Sequence, residues 1–404
     1  MMDALSNINE VPAADGSNSG IEEEAYTPYP FEAEKISISN KKISLSNVIR
    51  RLERNLIHAA VLQRRADLWD TGRKSRLIES LMLRIPLPLF YAAETKDDTL
   101  FVVDGLQRLS AIKGYVTDKN FKLESLEFLK EFEGKIFDEI NERMQIRINE
   151  TELDFAIIGS DSPPEVQRNI FKRLNTGGLP LTEQEIRHAL YFGPVSVLLE
   201  KLVGTDEFQK AVDERVDDSR MAAQELVLRY LAFSIMRIDE YKKDYEMDSF
   251  LSDTMQIINV LKSDKRNDNV VNKFLGRNIV NKNIYEIEQK FILAMQRAVE
   301  LFDNCAFRIT TPAKFSQRKF PRAPINKSLF ETWSVLLSNM TEQDFTLLQR
   351  NKEVLYKKID TEFDDSKSLL RNYISKDSTK VTGIRGRYEI IKKIINCVAE
   401  EVRE

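Results

Sequence analysis

Hydrophobic and polar residues follow two periods along the first third of the chain, and each period predicts a different element. Ile36 and Ile38 alternate with polar residues, which indicates a short strand. Apolar positions at helical spacing over residues 48–56 and 72–85 predict two amphipathic helices. The first should start at Ser44 or Ser46, and the prolines after residue 85 should end the second.

Four further apolar runs read as strands. Leu89–Ala93 and Leu100–Val103 flank the polar loop Thr95–Asp98, which predicts a hairpin. Met144–Ile148 and Leu153–Ile157 alternate with polar residues, which predicts two more strands. A small mixed or antiparallel sheet with helices packed on it fits this order of elements.

The chain after the predicted strands is patterned for helices. Two capping boxes, Ser162 with Glu165 and Thr182 with Glu185, predict helix starts. From about Phe192 on, apolar residues recur at helical spacing without a fixed-period repeat, which favours a helical bundle over a solenoid. We therefore predict an α+β fold, in which a domain with a small mixed sheet is followed by an all-α helical bundle domain.

Length and charge divide the chain into three parts. Its 404 residues exceed one ordinary core, and we predict an N-terminal domain over 35–195 and a helical domain over 196–404. Residues 1–34 hold eight acidic and no basic residues, and their polar composition predicts a disordered tail. The tail either solvates the protein or competes with nucleic acid for a basic groove, because the rest of the chain is mildly basic.

The rare residue types exclude several classes of site. The chain has two cysteines, Cys305 and Cys397, which are too few for a disulfide framework or a cysteine-built zinc site. Its two histidines, His58 and His188, cannot supply an HEXXH zinc site or an HNH nuclease centre. No apolar run approaches the ~20 residues of a membrane span, and no signal peptide is evident, so we expect a cytoplasmic protein without membrane contact.

The stretch VVDGLQRLSAI leads from a predicted strand into a predicted helix and has two interpretations. In the first, Asp104 caps the helix with Gln107, and Gly105 makes a tight turn. In the second, the free N–H groups of the helix start and Arg108 bind a phosphate, and Gln107 orients a water or a base. Asp104 would then hold Mg²⁺ or accept a proton.

Two other polar stretches could contribute to such a site. Gln63 and Arg64 lie near Trp69, which suits phosphate contact or stacking on a base, although a solvated helix face explains them equally well. A turn that contains Asn175, Gly177 and Gly178 could bind a phosphate or a sugar edge. Alone, that turn is better explained as a packed corner between two helices.

Two basic segments, 304–330 and 371–393, are candidates for nucleic-acid contact. The first combines basic residues with phenylalanines and has no acidic residue, as expected for binding a phosphate backbone with stacked bases. The alternative is a solvated loop whose phenylalanines enter the core. The basic residues that we select from both segments are Arg308, Lys314, Arg318, Lys319, Arg322, Arg385 and Arg387.

Three of these stretches together resemble a known family. LQRRADLW, VVDGLQRLSAI and FKRLNTGGLPLTEQEIRHALY occur in the order and spacing of the N-terminal domain of GmrSD-type restriction endonucleases, a ParB/sulfiredoxin-like family. The resemblance covers roughly Ile36 to Phe192. The signature of the family is Asp-Gly-Gln-Gln-Arg, which Asp104, Gly105, Gln107 and Arg108 match, whereas Leu106 replaces its first glutamine.

The resemblance implies a DNA-associated protein of a bacterial or phage defence system that binds and hydrolyses a nucleoside triphosphate. Asp104, Gln107 and Arg108 would be catalytic, and Asp104 would hold Mg²⁺. The nucleotide would contact Gln63, Arg64, Gly105, Arg108, Asn175, Gly177 and Gly178. Many relatives add an HNH nuclease domain, which this chain lacks after His188, so cutting would come from a separate nuclease subunit.

Two alternatives stay open at this point. The protein could be a non-catalytic DNA-binding or adaptor protein with a degenerate nucleotide cleft, for which Leu106 and the missing nuclease domain argue. It could also be a DNA-nicking nuclease, which supercoiled plasmid and Mg²⁺ would reveal. The sequence leaves the nucleotide, the partner and a homo-oligomeric state undetermined.

Overall fold

A computed structural model gives the architecture of the chain. The residues it describes are 10–12, 18–22, 37–58, 69–94, 98–160, 162, 167–168, 170–171, 181–242, 245–262, 279–316, 323–365 and 367–401. They divide into two compact units, one made mainly of residues 28–190 and the other mainly of residues 191–404. The sequence had placed this boundary between residues 195 and 196.

Part of the acidic segment 1–34 is paired. Strands β1 (Glu10–Pro12) and β2 (Asn18–Glu22) form a two-stranded antiparallel sheet. The other residues of that segment lie outside the described part of the chain, so disorder there stays a prediction.

The first unit is built on a mixed five-stranded sheet in the order β3-β7-β5-β6-β4. Strands β5 and β6 form the predicted antiparallel hairpin, β7 runs parallel to β5, and β4 runs parallel to β6. The sheet confirms the predicted α+β class. Its strands are β3 (Ile38–Ser44), β4 (Ile57–His58), β5 (Phe90–Glu94), β6 (Leu100–Asp104) and β7 (Glu152–Ile158).

Five helices of the first unit have defined bounds: α1 (Leu45–Glu53), α2 (Thr71–Met82), α3 (Leu106–Val116), α4 (Glu142–Glu150) and α5 (Glu183–Leu190). Helices α2 and α3 pack together around Ile78, Leu81 and Ile112. Helix α5 packs on the sheet, where Ile186 joins a cluster with Val103 of β6. Helix α5 therefore covers the sheet beside β6, the strand that leads into α3.

The strand predicted over Met144–Ile148 is wrong, because these residues belong to α4. The Asn141 side chain caps this helix by accepting a hydrogen bond from the backbone N–H of Met144 at 3.0 Å. Ile148 is fully buried, whereas Ile146 is 47% exposed. The alternation of apolar residues therefore does not mark a strand with one buried face.

The capping box at the start of α5 is confirmed. The N–H of Thr182 donates to Glu185 Oε2 at 2.7 Å, and the N–H of Glu185 donates back to Thr182 Oγ1 at 3.2 Å. Leu181 packs against the same cluster as Ile186, as a hydrophobic staple requires. The other predicted box cannot be compared, because Glu165 lies outside the described residues.

The second unit is helical, as predicted, and α8 is buried along almost its whole length. No helix among the residues described here is long and apolar enough to cross a membrane. The helices are α6 (Pro194–Val203), α7 (Asp206–Ala211), α8 (Ala222–Ile235), α9 (Met247–Leu261), α10 (Ile284–Phe302), α11 (Pro312–Phe315), α12 (Lys327–Asn339), α13 (Glu342–Arg350), α14 (Lys352–Asp364), α15 (Leu369–Ser375) and α16 (Val381–Glu401).

An ionic network lies inside this helical unit. The Glu331 side chain is fully buried and accepts from Arg229 at 3.0 Å and from Arg387. Arg229 also pairs with Glu225 at 3.1 Å, and Lys327 pairs with the same glutamate at 3.1 Å. Helices α8, α12 and α16 are therefore joined by charges that water does not screen.

Candidate functional site

The candidate site is the junction between β6 and α3. Asp104 is the last residue of β6 and lies opposite Tyr91 of β5. Gly105 then takes a left-handed conformation with φ of 95°, and α3 begins at Leu106. A Cβ atom at Gly105 would lie 2.3 Å from Cδ1 of Phe90, so both backbone conformation and space require glycine there.

Asp104 does not cap α3, so this part of the prediction is wrong. Gly105 occupies the N-cap position and has no side chain to accept a hydrogen bond. Asp104 stays in the strand, one residue too early for a capping box with Gln107, whose side chain is half-buried. The turn is made by the left-handed glycine, and the aspartate carboxylate is left for another partner.

That partner is Arg108. Its Nη2 donates to Asp104 Oδ2 at 3.0 Å and to the carbonyl oxygen of Leu89 at 3.1 Å, and its Nη1 donates to the carbonyl oxygen of Pro88. The guanidinium also lies 4.3 Å from the ring centroid of Phe90. Arg108 therefore joins the segment before β5 to the end of β6.

The electrostatics of this pair are asymmetric. The Arg108 side chain is 11% exposed and the Asp104 side chain is 39% exposed. Burial lowers the pKa of Arg108 below its ordinary value, and the neighbouring Asp104 carboxylate opposes this effect. Arginine stays charged at neutral pH. The buried Arg108 guanidinium therefore holds the Asp104 carboxylate in place, and that carboxylate remains partly accessible to solvent.

Leu106, which departs from the family signature, lies beneath the turn. Its side chain is 6% exposed, and that of Leu109 in the next turn of α3 is 1% exposed. Leu106 therefore contributes apolar contact inside the unit. The accessible surface of the junction is formed by the residues next to it in the chain.

A histidine stands on the neighbouring strand. His58 ends β4 and stacks on Phe101 of β6 with ring centroids 4.7 Å apart. Burial lowers the pKa of His58, which favours its neutral form. Because β4 runs parallel to β6, the carboxyl end of β4 points toward the edge of the sheet at which Asp104 lies.

The other residues predicted to line the cleft lie outside the described residues: Gln63, Arg64, Asn175, Gly177 and Gly178. Their convergence on Asp104 stays a prediction. Trp69, by contrast, is described: it is partly buried, and the guanidinium carbon of Arg73 lies 4.3 Å from its ring centroid. This tryptophan packs in the first unit beside α2.

Two residues selected for nucleic-acid contact are internal. Arg308 is 6% exposed and donates to the carbonyl oxygens of Asn304 at 3.2 Å and Ala323 at 2.5 Å. Arg387 is fully buried and donates to Thr332 Oγ1 at 3.2 Å besides pairing with Glu331. Both predictions are wrong, because these guanidinium groups cannot reach a nucleic-acid backbone in this fold.

The remaining basic candidates divide by accessibility. Lys314 is 23% exposed and pairs with Asp360 at 3.8 Å and with Asp364, which compensates its charge. Arg385 is exposed on α16 and donates to the Asp239 carbonyl oxygen at 3.4 Å. Arg318, Lys319 and Arg322 lie outside the described residues, so their role as nucleic-acid contacts stays a prediction.

Reasoning from the sequence missed Pro88, Leu89 and Phe90 as parts of the junction. They act through two backbone carbonyls and an aromatic face, which no residue pattern specifies.

No group of three or more histidine, cysteine, aspartate or glutamate side chains could hold a metal ion within the described ranges. A cation at Asp104 would need most of its ligands from a substrate or from water.

Comparison with known proteins identifies one relationship. Residues 45–192 match the family model described as GmrSD restriction endonuclease, N-terminal domain. This range contains Asp104, Gly105, Gln107 and Arg108. No curated protein and no solved structure matches the chain.

Proposed function

We propose, from the match of residues 45–192 to the GmrSD restriction endonuclease N-terminal domain, that the protein is a restriction-like defence component. In this proposal it binds a nucleoside triphosphate at the β6–α3 junction. The observation that carries the proposal is the Asp104 carboxylate. It is partly exposed, fixed by Arg108, and two residues before the start of α3.

The start of α3 supplies binding groups for phosphate. The first N–H groups of a helix have no partner within the helix, and the helix dipole favours an anion there. The first helical bond of α3 runs from the N–H of Leu109 to the carbonyl oxygen of Gly105 at 2.9 Å, so the amides of residues 106–108 precede it. Gly105 places no side chain over this end of the helix.

Arg108 takes a different role from the one predicted. A guanidinium has five N–H donors, and three of those of Arg108 already donate to Pro88, Leu89 and Asp104. We assign Arg108 first to positioning Asp104. Direct phosphate contact then falls to the α3 amides and, in the ParB/sulfiredoxin-like arrangement that we propose for this domain, to Gln63, Arg64 and the turn at Asn175.

The donor set suits magnesium. Mg²⁺ bound with a nucleotide usually takes one or two carboxylates and completes its shell with phosphate oxygens and water. Asp104 supplies one such carboxylate, so it would hold the ion and neutralise the charge of the triphosphate. Asp104 and Gln107 would orient the attacking water for hydrolysis, and Leu106, which is buried, would not contact the nucleotide.

Calorimetry with GTP, ATP, CTP and UTP in the presence of Mg²⁺ tests this proposal. We expect the wild type to bind at least one nucleotide and Asp104→Asn to weaken binding at least about tenfold, the effect of removing one charged ligand. Asp118→Asn is the matched control, because Asp118 is 40% exposed and pairs with Lys113 of the same helix at 2.6 Å. If the wild type binds none of the four nucleotides, the proposal is wrong.

DNA and a separate nuclease subunit complete the proposed system. Burial of Arg308 and Arg387 leaves the segment around Arg318, Lys319 and Arg322 as the main candidate for DNA contact. Neutralising those three residues should weaken DNA retention and reduce its dependence on salt, since each phosphate contact releases counterions. Arg350→Ala, at an exposed arginine of α13 outside both basic segments, is a single-charge control. Unchanged salt dependence in the triple variant would exclude this segment as the contact.

A further inference from the structure

A cavity in the helical unit carries its own set of binding groups. Its volume is about 430 Å³, within the range of small-molecule sites. Its lining combines the cation Lys210, the carboxylate Asp303, the amide Asn304, the hydroxyl Ser316 and the aromatic ring of Phe315, besides aliphatic side chains. Nothing in the proposed nucleotide site of the first unit uses these residues.

Asp303 is held in an unfavourable backbone conformation at this cavity. It directly follows the 19-residue helix α10 and has φ of 47° and ψ of −133°. Residues other than glycine rarely adopt a positive φ, and such strain concentrates at functional sites. Glycine adopts this conformation without strain, so the carboxylate of Asp303 can be removed there without disturbing the backbone.

Cys305 and Arg308, which do not line the cavity, fix the position of Asn304. Cys305 Sγ lies 3.5 Å from Asn304 Oδ1 and donates to it, which leaves the amide N–H groups to act as donors. Arg308 lies behind this wall and donates to the carbonyl oxygen of Asn304 at 3.2 Å and to that of Val212 at 3.4 Å. Val212 directly follows α7, which carries Lys210, so one buried arginine fixes two walls of the cavity.

Each lining group matches one part of a ribonucleotide. Phe315 offers a face for stacking a base, and the Asn304 amide offers donors to a base edge. A carboxylate such as Asp303 accepts from ribose hydroxyls, and an ammonium such as Lys210 pairs with a phosphate. We propose that this cavity binds a ribonucleoside monophosphate unit, either as a free nucleotide or as one nucleotide of a single-stranded RNA.

The test is calorimetry on the full chain with AMP, GMP, CMP and UMP in EDTA. EDTA removes the magnesium that the site proposed for the first unit uses with a triphosphate. Monophosphate binding that Asp104→Asn leaves unchanged is assigned to the helical unit. We expect one bound monophosphate per chain and at least tenfold weaker binding of the matching 2′-deoxynucleotide, because Asp303 would lose a ribose hydroxyl. A tetraribonucleotide in a parallel titration distinguishes RNA from the free nucleotide by its higher affinity.

Asp303→Gly is the decisive variant because it removes the carboxylate and relieves the backbone strain. We expect an unchanged or higher Tm together with at least tenfold weaker monophosphate binding. Asp98→Gly, at another aspartate with a positive φ of 58°, is the control and should keep full binding. Ser316→Trp, at an exposed residue of the lining, should block the cavity without unfolding the protein.

Two results would overturn the proposal. One is the absence of binding by the wild type to all four monophosphates and to the tetraribonucleotide. The other is binding that Asp303→Gly and Ser316→Trp both leave unchanged, which would place the nucleotide elsewhere on the chain.

Discussion

Arg108 and Asp104 form an ion pair across the left-handed Gly105, with 3.0 Å between Nη2 and Oδ2. The same guanidinium holds the carbonyl oxygens of Pro88 and Leu89, which precede β5 in the chain. One side chain therefore sets both the direction of the Asp104 carboxylate and the position of the neighbouring segment. The candidate site depends on a contact between residues about twenty positions apart, as well as on the local turn.

Replacing Arg108 with alanine should lower the free energy of unfolding by about 2–3 kcal/mol, because two carbonyl oxygens and a carboxylate lose their partly buried donor. Arg108→Lys should recover only part of this loss, since an ammonium cannot reproduce the planar fork. Urea denaturation followed by the fluorescence of Trp69, in a Trp333→Phe background, measures the effect. Equal stability of wild type and Arg108→Ala would show that these bonds do not hold the junction.

Gly105→Ala should destabilise the first unit by about 2 kcal/mol or more, because it combines an unfavourable positive φ with a clash. The new Cβ would lie 2.3 Å from Cδ1 of Phe90. Gly134 is the matched control: its φ is 77°, but a Cβ there would meet no atom within 4 Å. Gly134→Ala should therefore cost only about 1 kcal/mol, the penalty of the left-handed conformation. Equal effects of the two substitutions would exclude the clash with Phe90.

Structural features that depend on a few neighbouring residues were predictable from the sequence. The β5–β6 hairpin followed from two apolar runs and a polar loop, and the start of α5 followed from Thr182 and Glu185. The strand predicted for Met144–Ile148 was wrong because an alternation over only five residues is compatible with a helix as well as with a strand. There the cap at Asn141 decided the outcome.

Contacts between distant parts of the chain were not predictable. Arg308 bonds to the carbonyl oxygen of Val212, 96 positions away, and Arg387 pairs with Glu331, 56 positions away. Nothing in a basic segment distinguishes an arginine that meets such partners from one that faces solvent. The role of Arg108 was misjudged for the same reason, since two of its three partners are backbone carbonyls.

Glu79 should make the first unit sensitive to acid. Its side chain is 3% exposed and accepts from the backbone N–H groups of Glu127 at 2.9 Å, Phe128 at 2.7 Å and Leu129 at 2.8 Å. Burial raises the pKa of Glu79, but these three hydrogen bonds and the charge of Lys130 outweigh burial, so its pKa lies below the ordinary 4.5. The folded state therefore favours the carboxylate.

The sign of the pH dependence follows from this lowered pKa. The stabilisation by Glu79 is complete above its unfolded pKa, near 4.5, and is lost as the pH falls through the lower folded value. Glu79→Gln should cost about 2 kcal/mol at pH 7, because a neutral amide is a weaker acceptor for three N–H groups. Its stability should also fall less steeply than that of the wild type between pH 5 and pH 3.

Urea denaturation at a series of pH values compares Glu79→Gln with the wild type and with Glu124→Gln, whose side chain is exposed. The control should follow the wild-type curve. If the wild type and Glu79→Gln lose stability in parallel on acidification, Glu79 is not the group that titrates.

The buried network around Glu331 should be the most sensitive point of the helical unit. Glu331→Gln removes the carboxylate that pairs with Arg387 and one of the two that pair with Arg229. Breaking a buried pair in this way typically costs about 3–5 kcal/mol. Glu342→Gln is the matched control, because Glu342 also accepts from an arginine, Arg297, at 2.7 Å but is 78% exposed. Arg297 is buried, but water reaches Glu342 and can replace its carboxylate, so Glu342→Gln should cost clearly less than Glu331→Gln.

Trp333 adjoins Thr332, which accepts a hydrogen bond from Arg387, and it is the remaining tryptophan in a Trp69→Phe background. Its fluorescence during urea denaturation therefore reports the unfolding of the helical unit. We expect a large shift of the midpoint for Glu331→Gln and a small one for Glu342→Gln. Because an uncompensated charge is the cause, the double variant Glu331→Leu with Arg387→Met should be more stable than Glu331→Gln. If the double variant is less stable than Glu331→Gln, the uncompensated charge is not the main cause of the loss. The hydrogen bonds of the network would then stabilise the bundle themselves.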